Sequence, residues 1–551
     1  MNEQSKTKDN FLAQAGILAA AGIISRIIGL LYRSPLVAVI GETGYGYYHA
    51  AYSFYTIVLL VSSYSIPSAI SKLIAPKLAV REYRNAHRLF YCALGYVLVV
   101  GFVASMFLFF TAEWFVEPVA VPVLRTFAPT VFIYGLLGVL RGYFQAHRSM
   151  VQTAVSQILE QIANAIVSVG GAWLLIQYGV SATLSEAERD TKSAVFGAIG
   201  SATGTGAGVL VGLLFMFSVY LFRRKMILDR VQMDQHETID SYKGMIRTIT
   251  LIVTPFILST AIYNLNGTVV SYLYTKLIPN LRALNSDQQY TNFGIYGGIS
   301  LTIFNIPIAF ATAMASAMIP SVAQAKASGD MALTKSKISA AIKATMIISI
   351  PSAVGLFALA KPIIFILFPR EDAVVTLAAK LLMVLALAVV LYALSTLSNS
   401  ILQGLGRVNV PVVNAGIALA VQSILSFMLL LYTNIDLYGL AITNTIYAAI
   451  MCVLNQIALR RAIDYHQEWK TSFILPAIAA VIMGISARGM YDILLKLIRS
   501  PRIALIPAVI FGVIVYFVVL LMLRTLSEDE IKDLPKGHVL LKIAKKCKLL
   551  R

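Results

Sequence analysis

Charged residues are scarce in this chain of 551 residues. Asp, Glu, Lys and Arg together make up 13% of it, whereas a soluble protein carries about 25%. Such a composition leaves too little polar surface to cover one or more soluble domains. It therefore excludes a soluble enzyme, a nucleic-acid-binding protein and a disordered scaffold.

Residues that build covalent, metal or catalytic sites are also few. The three cysteines, Cys92, Cys452 and Cys547, are scattered, which predicts neither a disulfide framework nor a metal site. The sequence has no P-loop, no His/Cys cluster and no paired acidic motif on a loop. We therefore expect no enzyme, no cofactor and no ATP-driven transport. The polar N-terminus, Met1 to Asn10, predicts no cleaved signal peptide.

Long apolar runs are abundant, since 58% of the residues are hydrophobic. The runs are uninterrupted rather than alternating, which predicts helices and excludes the strands of a barrel. We predict an all-α, polytopic membrane protein with about 14 transmembrane helices. The predicted spans are about 11–40, 46–74, 89–110, 122–145, 151–177, 195–222, 246–272, 292–320, 338–360, 373–403, 410–432, 437–459, 471–494 and 503–523.

The net charge of +19 follows from 45 Lys and Arg against 26 Asp and Glu. In a soluble protein this excess would suggest nucleic acid, but cytoplasmic loops of membrane proteins also accumulate Lys and Arg. Basic groups such as Arg223, Arg224 and Lys225 fall in alternate connections between the predicted spans. This pattern predicts a multi-pass protein of the cell membrane with both termini in the cytoplasm and no nucleic-acid partner.

The two halves of the chain share a layout. Ile66-Pro67-Ser68 ends the second predicted span and Ile319-Pro320-Ser321 ends the eighth, an offset of 253 residues. Gly44-Tyr45-Gly46-Tyr47 and Gly294-Ile295-Tyr296-Gly297 precede these motifs in the same order. Six spans in each half is an even number, so the halves form a parallel repeat, with the substrate site expected at their interface.

This duplication predicts two six-helix lobes and two added C-terminal helices. We place an N-lobe at 1–230, a C-lobe at 231–465, helices 13 and 14 at 466–525 and a basic cytoplasmic tail at 526–551. The tail either lies on the anionic inner leaflet or is simply solvated. The architecture as a whole is typical of a transporter.

Two arginines in the first predicted span are costly in lipid. Gly22, Arg26, Gly29 and Arg33 recur at the spacing of one helical stripe, with Ser25 beside them. An arginine at the centre of a span should face a protein interior or a wet cavity. Its guanidinium matches phosphate oxygens, which predicts an anion site for a pyrophosphate. Pairing with carbonyls or a carboxylate is the structural alternative.

Other polar residues lie deep in the predicted spans. Glu160 is the deepest carboxylate, and it could pair with Arg26, couple transport to protons or hold the lobe together. Asn414 and Thr443 offer oxygen atoms to a cation such as Na⁺, although no carboxylate stands among the polar residues of the second half. Hydrogen bonding between helices is the alternative for these two residues.

These features resemble the multidrug/oligosaccharidyl-lipid/polysaccharide flippase superfamily, and within it the polysaccharide biosynthesis and stage V sporulation protein B branch, related to lipid II flippases. The motifs run through nearly the whole chain. They are Ser25-Arg26 with Gly29 and Arg33, Gly44-Tyr45-Gly46-Tyr47-Tyr48, Ile66-Pro67-Ser68-Ala69-Ile70-Ser71-Lys72, Arg141-Gly142-Tyr143-Phe144-Gln145, Ser156-Gln157-Ile158-Leu159-Glu160-Gln161, Gln403-Gly404-Leu405-Gly406 and Leu534-Pro535-Lys536-Gly537.

The resemblance implies two lobes around a cationic cavity and a groove for the lipid tail at helices 13 and 14. It implies alternating-access flipping of an undecaprenyl-pyrophosphate-linked cell-wall precursor, lipid II or a related unit, with Arg26 and Arg33 on the pyrophosphate. The expected partners are this lipid-linked oligosaccharide, membrane lipid and a coupling cation. One departure is that spans 46–74 and 292–320 lack the further cavity arginines of the Gram-negative lipid II flippases.

Two other functions remain open from the sequence. A cation-coupled multidrug antiporter should have an acidic cavity rather than one lined by arginine. A membrane glycosyltransferase or polymerase needs a carboxylate base on a sizeable loop, and the sequence shows none.

Overall fold

A computed structural model describes residues 21–22, 24–64, 66–147, 149–180, 185–234, 240–327, 329–407, 409–523 and 525. Throughout these residues the regular structure is helical. The helices are α1 (Ile24–Leu31), α2 (Arg33–Leu59), α3 (Ile66–Ala79), α4 (Tyr83–Phe110), α5 (Ala112–Phe115), α6 (Val121–Ala146), α7 (Met150–Gly179), α8 (Glu186–Gln232), α9 (Tyr242–Tyr272), α10 (Ile278–Arg282), α11 (Ser286–Gly294), α12 (Leu301–Ala327), α13 (Met331–Ala358), α14 (Ala360–Leu367), α15 (Asp372–Gly404), α16 (Asn409–Tyr432), α17 (Leu437–Ile463), α18 (Leu475–Ile498) and α19 (Pro501–Met522).

The all-α, polytopic class predicted from the sequence is confirmed, but the count of 14 spans is not. Within the described residues, 11 helices are long and apolar enough to cross a membrane. They coincide with the predicted spans three to six and eight to fourteen. The count rises to 12 if a bent pair, Ile24–Leu31 with Arg33–Ser63, is one span. The predicted seventh span lies within α9.

Helix ends follow from local chemistry. Asp330 accepts a hydrogen bond from the amide of Leu333 at 2.8 Å and so caps α13. Asn285 caps α11 in the same way through the amide of Asp287 at 2.9 Å. Proline occupies the first turn of α6, α18 and α19, where its missing N–H costs nothing. The spans Ser286–Thr312, Met331–Ala358 and Pro501–Met522 begin at or directly after Asn285, Asp330 and Pro501.

Contacts divide the chain into two compact units, 1–298 and 299–551. This division does not test the lobes at 1–230 and 231–465, which stay a prediction. In the second unit α15 packs against α12, α13 and α17, and α18 packs against α13 and α19. The hydroxyl of Tyr516 on α19 donates to the carbonyl of Ile347 on α13 at 2.8 Å.

A row of glycines on α8 allows this helix to pack closely against α7 in the first unit. The row, at every fourth residue of α8, is Gly200, Gly204, Gly208 and Gly212. A Cβ on Gly204 would lie 2.3 Å from the backbone nitrogen of Ser168, and one on Gly208 would lie 2.5 Å from the carbonyl oxygen of Glu160. Only glycine permits this approach, which brings the polar side chains of α7 into the interior of the unit.

The motifs that carry the family resemblance also pack on each other. A Cβ on Gly142 in α6 would lie 2.7 Å from the carbonyl oxygen of Pro67 and 3.0 Å from the Cβ of Ile70 in α3. A Cβ on Gly138, one turn earlier, would lie 3.3 Å from the Pro67 ring. The Ile-Pro-Ser motif and the Arg-Gly-Tyr-Phe-Gln motif therefore form one helix–helix contact.

Valine at Gly204 should separate α7 from α8, because the new methyl groups meet backbone atoms that cannot move aside. We expect the melting temperature of the purified protein in detergent to fall by roughly 5 °C or more. Gly170→Val is the control, since a Cβ at Gly170 on α7 meets no atom within 4 Å. Equal melting temperatures for the two variants would contradict the close approach.

Candidate functional site

The two arginines of the first span lie on separate helical segments. α1 and α2 meet at Tyr32 with a bend of 43°. Arg26 on α1 is exposed and Arg33, which starts α2, is half-buried. The helix thus changes direction between the two residues, and the single stripe expected from the sequence stays a prediction. Ser25 is half-buried, and its Oγ has no hydrogen-bond partner in the described part of the chain.

The α1 segment lies along α7. Gly29 is near the side chain of Gln161, whose Oε1 would be 3.5 Å from an added Cβ. One turn later, Asn164 Nδ2 donates to the hydroxyl of Tyr32 at 3.5 Å. Gln161 and Asn164 are neighbours of Glu160 on α7. The segment that carries Arg26 is thus placed beside the polar face of α7.

Arg33 is surrounded by tyrosines. Its electrostatic neighbours are the phenol groups of Tyr32, Tyr45, Tyr48 and Tyr52. The last three share one face of α2, because their spacing of three and four residues matches the helical repeat. The hydroxyl of Tyr48 also lies 3.5 Å from the Thr205 hydroxyl on α8. Arg33 therefore interacts electrostatically with four phenol groups.

Glu160 is paired with Arg141, a partner that sequence reasoning missed. Its Oε2 accepts a hydrogen bond from Arg141 Nη2 at 2.7 Å, and Arg141 Nε donates to Ser156 Oγ at 2.9 Å. The two charged side chains are only 5% and 14% exposed. Pairing between Glu160 and Arg26, one possibility raised from the sequence, stays a prediction.

A signal for this pair was present in the sequence. α6 and α7 are joined by a short connection at 147–149, so they form an antiparallel hairpin. Arg141 precedes that connection by about as many residues as Ser156 follows it, with Glu160 one turn further along. Residues at matching depths in a hairpin face each other when they share the inner side. Applied to the sequence, this rule predicts the contact between Arg141 and Glu160.

Polar residues of the second unit hydrogen-bond to one another. Asn414 Nδ2 on α16 donates to Asn455 Oδ1 on α17 at 2.8 Å, and Asn455 Nδ2 donates to Asn399 Oδ1 on α15 at 2.8 Å. Ser426 Oγ donates to Thr443 Oγ1 at 2.8 Å. Both Asn414 and Thr443, the predicted cation ligands, thus take part in links between helices. The described residues contain no group of three or more His, Cys, Asp or Glu that could hold a metal ion.

The two glycine-rich motifs of the repeat meet directly, and both lie in the first unit. A Cβ on Gly46 in α2 would lie 1.9 Å from the carbonyl oxygen of Tyr290, and one on Gly294 in α11 would lie 1.9 Å from that of Glu42. Beside them the hydroxyl oxygens of Thr43 and Thr291 are 2.7 Å apart. This α2–α11 contact is reciprocal, and side chains at either glycine would block it.

A hydrogen bond with a charged acceptor completes the α2–α11 contact. The buried Tyr47 donates its hydroxyl to the carboxylate of Asp287 at 2.6 Å, and its ring lies 4.7 Å from that of Tyr290. Gly41 has φ +72°, so α2 is interrupted directly before the contact. The close approach of the two backbones and the Tyr47–Asp287 hydrogen bond therefore stabilise the same α2–α11 contact.

The arrangement is that of an all-helical membrane protein of the multidrug/oligosaccharidyl-lipid/polysaccharide flippase class. A family model described as polysaccharide biosynthesis protein matches residues 11–326, more than half of the chain. The chain therefore belongs to that family, as the resemblance implied. A second model, MatE, matches residues 297–428.

Curated relatives come from Bacillus subtilis (strain 168). The chain is 24% identical over 492 residues to the lipid II flippase MurJ, covering 86% of this chain and 87% of that protein. It is 22% identical over 538 residues to stage V sporulation protein B, covering 96% and 98%. At these low identities, the activity named for each relative belongs to that relative alone.

Solved structures agree on the fold. A lipid II flippase MurJ in an inward closed conformation superposes with a TM-score of 0.65 at 16% identity, covering 91% of this chain and 97% of that one. An inward-facing multidrug resistance MATE family transporter superposes with a TM-score of 0.57 at 16% identity, covering 81% and 94%. Both similarities show the fold and leave the cargo open.

Removing one member of the Arg141–Glu160 pair should destabilise the protein by about 3–5 kcal/mol, because a buried charge loses its partner. We expect Arg141→Met and Glu160→Met each to lower the melting temperature in detergent. The double variant should recover much of the loss, since no unpaired charge remains.

The exposed pair Arg125–Glu113 supplies the control for this experiment. Its side chains are 36% and 66% exposed, so Arg125→Met should cost less than about 1 kcal/mol. If the double variant at 141 and 160 were as unstable as the sum of the single variants, the pair would not be the source of the stability.

Proposed function

We propose that this chain is an alternating-access flippase that moves an undecaprenyl-pyrophosphate-linked cell-wall precursor from the inner to the outer leaflet. The observation that carries the proposal is the half-buried Arg33 among tyrosine hydroxyls, with Arg26 on the adjoining segment. Membership of the polysaccharide biosynthesis family supports a lipid-linked sugar as cargo. Lipid II is the first candidate, since the MurJ relative is named for it.

The arginines serve the pyrophosphate of this cargo. A guanidinium offers planar, paired donors to phosphate oxygens, and it keeps its charge at any physiological pH. Arg33 binds in the tyrosine-lined interior, Arg26 receives the headgroup at the exposed α1 segment, and Ser25 adds a hydroxyl beside it. The bend at Tyr32 supports separate roles for the two arginines, because it removes them from one straight stripe.

The α2–α11 contact closes the outer side of the pathway in this proposal. With the N-terminus in the cytoplasm, the α2 and α11 segments that meet lie at the outer ends of their spans. The contact combines the two glycines, one hydroxyl pair and the Tyr47–Asp287 bond with ring contacts such as that of His49 with Phe293. Separation of α2 from α11 would open the outward-facing state without unfolding any helix.

A cation or proton supplies the driving force. Asn414 and Thr443 are the proposed ligands of a coupling cation, because both place oxygens inside the second unit. Glu160 either takes part in coupling or holds α6 and α7 together. Its close pairing with Arg141 supports the structural role. We propose further that α18 and α19 accommodate the lipid tail.

A cation-coupled multidrug antiporter is the second candidate. It is supported by the MatE match at residues 297–428 and by the MATE superpositions. Such a protein would bind cationic drugs through a carboxylate. The buried Glu160 is neutralised by Arg141, and the residues near Arg33 favour an anion instead. These charges support the flippase over the antiporter.

Rescue of cells depleted of their own lipid II flippase tests the proposal. The wild-type chain should restore growth, whereas Arg26→Ala and Arg33→Ala at matched expression should reduce rescue by at least about tenfold, because the pyrophosphate loses charge-assisted hydrogen bonds. Arg125→Ala is the control, since this exposed arginine pairs with Glu113 away from the site. Full rescue by both alanine variants would contradict the anion site. Failure of the wild type, inserted in the membrane, would exclude lipid II and favour another lipid-linked polysaccharide.

A reversible crosslink tests the role of the α2–α11 contact. Thr43→Cys with Thr291→Cys should form a disulfide, because the two hydroxyl oxygens are 2.7 Å apart. The background replaces Cys92, Cys452 and Cys547 by serine. Oxidation should abolish flipping of lipid II in proteoliposomes, and reduction should restore it. The two single-cysteine variants are the controls, and unchanged flipping by fully crosslinked protein would show that the contact need not open.

A further inference from the structure

The sugar of the cargo must lie close to Arg33 if Arg33 binds the pyrophosphate. The first sugar is joined directly to the second phosphate, so no spacer separates them. A pyranose ring presents a face of C–H groups together with hydroxyls at its edge. An exposed aromatic ring next to the guanidinium could therefore receive that face.

Tyr52 is the tyrosine at Arg33 that meets this requirement. It is 36% exposed, whereas the neighbouring Tyr45, Tyr48 and Tyr55 are 2%, 6% and 2% exposed. The hydroxyls of Tyr32 and Tyr48 reach the same α7–α8 contact, at Asn164 and Thr205, so Tyr52, which stacks on Tyr48, lies near the Tyr32–Arg33 turn. Tyr32 is half-buried and the other three rings are core residues, so Tyr52 presents the most exposed ring at this place.

The Tyr52 ring is held in position by other rings. It stacks on Tyr48 with centroids 5.8 Å apart and an interplanar angle of 19°. Phe127 of α6, itself fully buried, meets it edge-on at 5.8 Å. A further contact, at 5.7 Å, joins Tyr52 to Tyr55. A ring fixed in this way loses little rotamer freedom when a ligand binds, which favours binding.

We propose that the exposed surface of Tyr52 stacks on the first sugar ring of the lipid-linked cargo while Arg33 holds the pyrophosphate. This inference rests on the proposed function and adds the sugar to it. Tyr52 then distinguishes a glycosylated carrier lipid from the bare carrier. A lipid returning without its sugar would bind less tightly.

Binding to the full chain in nanodiscs tests the inference with three probes. They are undecaprenyl pyrophosphate, undecaprenyl pyrophosphate linked to N-acetylglucosamine, and lipid II. The wild type should bind at least one sugar-bearing probe more tightly than the bare lipid. Tyr52→Ala should weaken that binding by about three- to tenfold and change binding of the bare lipid by less than about twofold.

Two further variants separate stacking from other effects. Tyr52→Phe keeps the ring and should bind like the wild type, whereas Tyr52→Leu keeps apolar bulk without a ring and should bind like Tyr52→Ala. Arg33→Ala should weaken all three probes. Tyr178→Ala, which removes an 86% exposed tyrosine at the end of α7, should change none of them. Melting temperatures identify any Tyr52 variant that has lost its fold, and if Tyr52→Ala is one of them, Tyr52→Leu decides the matter, because it removes the ring and keeps the apolar bulk.

The outcomes separate the inference from the proposed function. Equal weakening of bare and sugar-bearing lipids by Tyr52→Ala, no weakening at all, or a loss of sugar preference in Tyr52→Phe would overturn the stacking role and leave the flippase intact. A wild type that binds all three probes equally would do the same. A wild type that binds none of the three would overturn the proposed function itself.

Discussion

Helices in a bilayer gain little from hydrophobic association, because the lipid tails are as apolar as the side chains they would replace. Close backbone packing and buried polar bonds must therefore hold this fold together. The row from Gly200 to Gly212 brings α8 within backbone distance of α7. That approach encloses Ser168, Asn164 and Glu160, whose polar atoms then find partners inside the unit. The glycines thus determine where the polar groups meet.

The Arg141–Glu160 pair shows that charged groups enclosed in this way need further hydrogen-bond partners. Two ionised groups 2.7 Å apart and almost fully buried are tolerable only when their remaining hydrogen-bonding capacity is used. Ser156 Oγ accepts a hydrogen bond from Arg141 Nε and donates one to the carbonyl oxygen of Thr153. A Cβ on Gly212 would lie 3.6 Å from Arg141 Nη2, so α8 also borders the pair. Three helices therefore share one polar junction.

The helical class and the positions of most spans were predictable from the sequence, whereas the direction of side chains around each helix was not. Apolar length located the spans, and Glu160 and Arg26 stood out because charge is costly there. Which charges meet depends on helix rotation and packing, so Glu160 was linked to Arg26 as one possibility and Arg141 was overlooked. The bend at Tyr32 did have a signal in the sequence, because Pro35 removes a helical hydrogen bond and its ring crowds the carbonyl of Leu31 one turn earlier. The tyrosines around Arg33 were visible as a motif, but their placement required the fold.

The two halves of the chain differ in their polar chemistry. The first carries Arg33, Arg141, Glu160 and the tyrosines, while the second carries a neutral network of Asn399, Asn414 and Asn455. The asparagine amides bond to one another, whereas Arg141 and Glu160 each need the other's charge. The α2–α11 contact is different again, since Gly46 and Gly294 each leave room for the other's helix. Close backbone approach and side-chain pairing are therefore two separate means by which this chain holds its helices together.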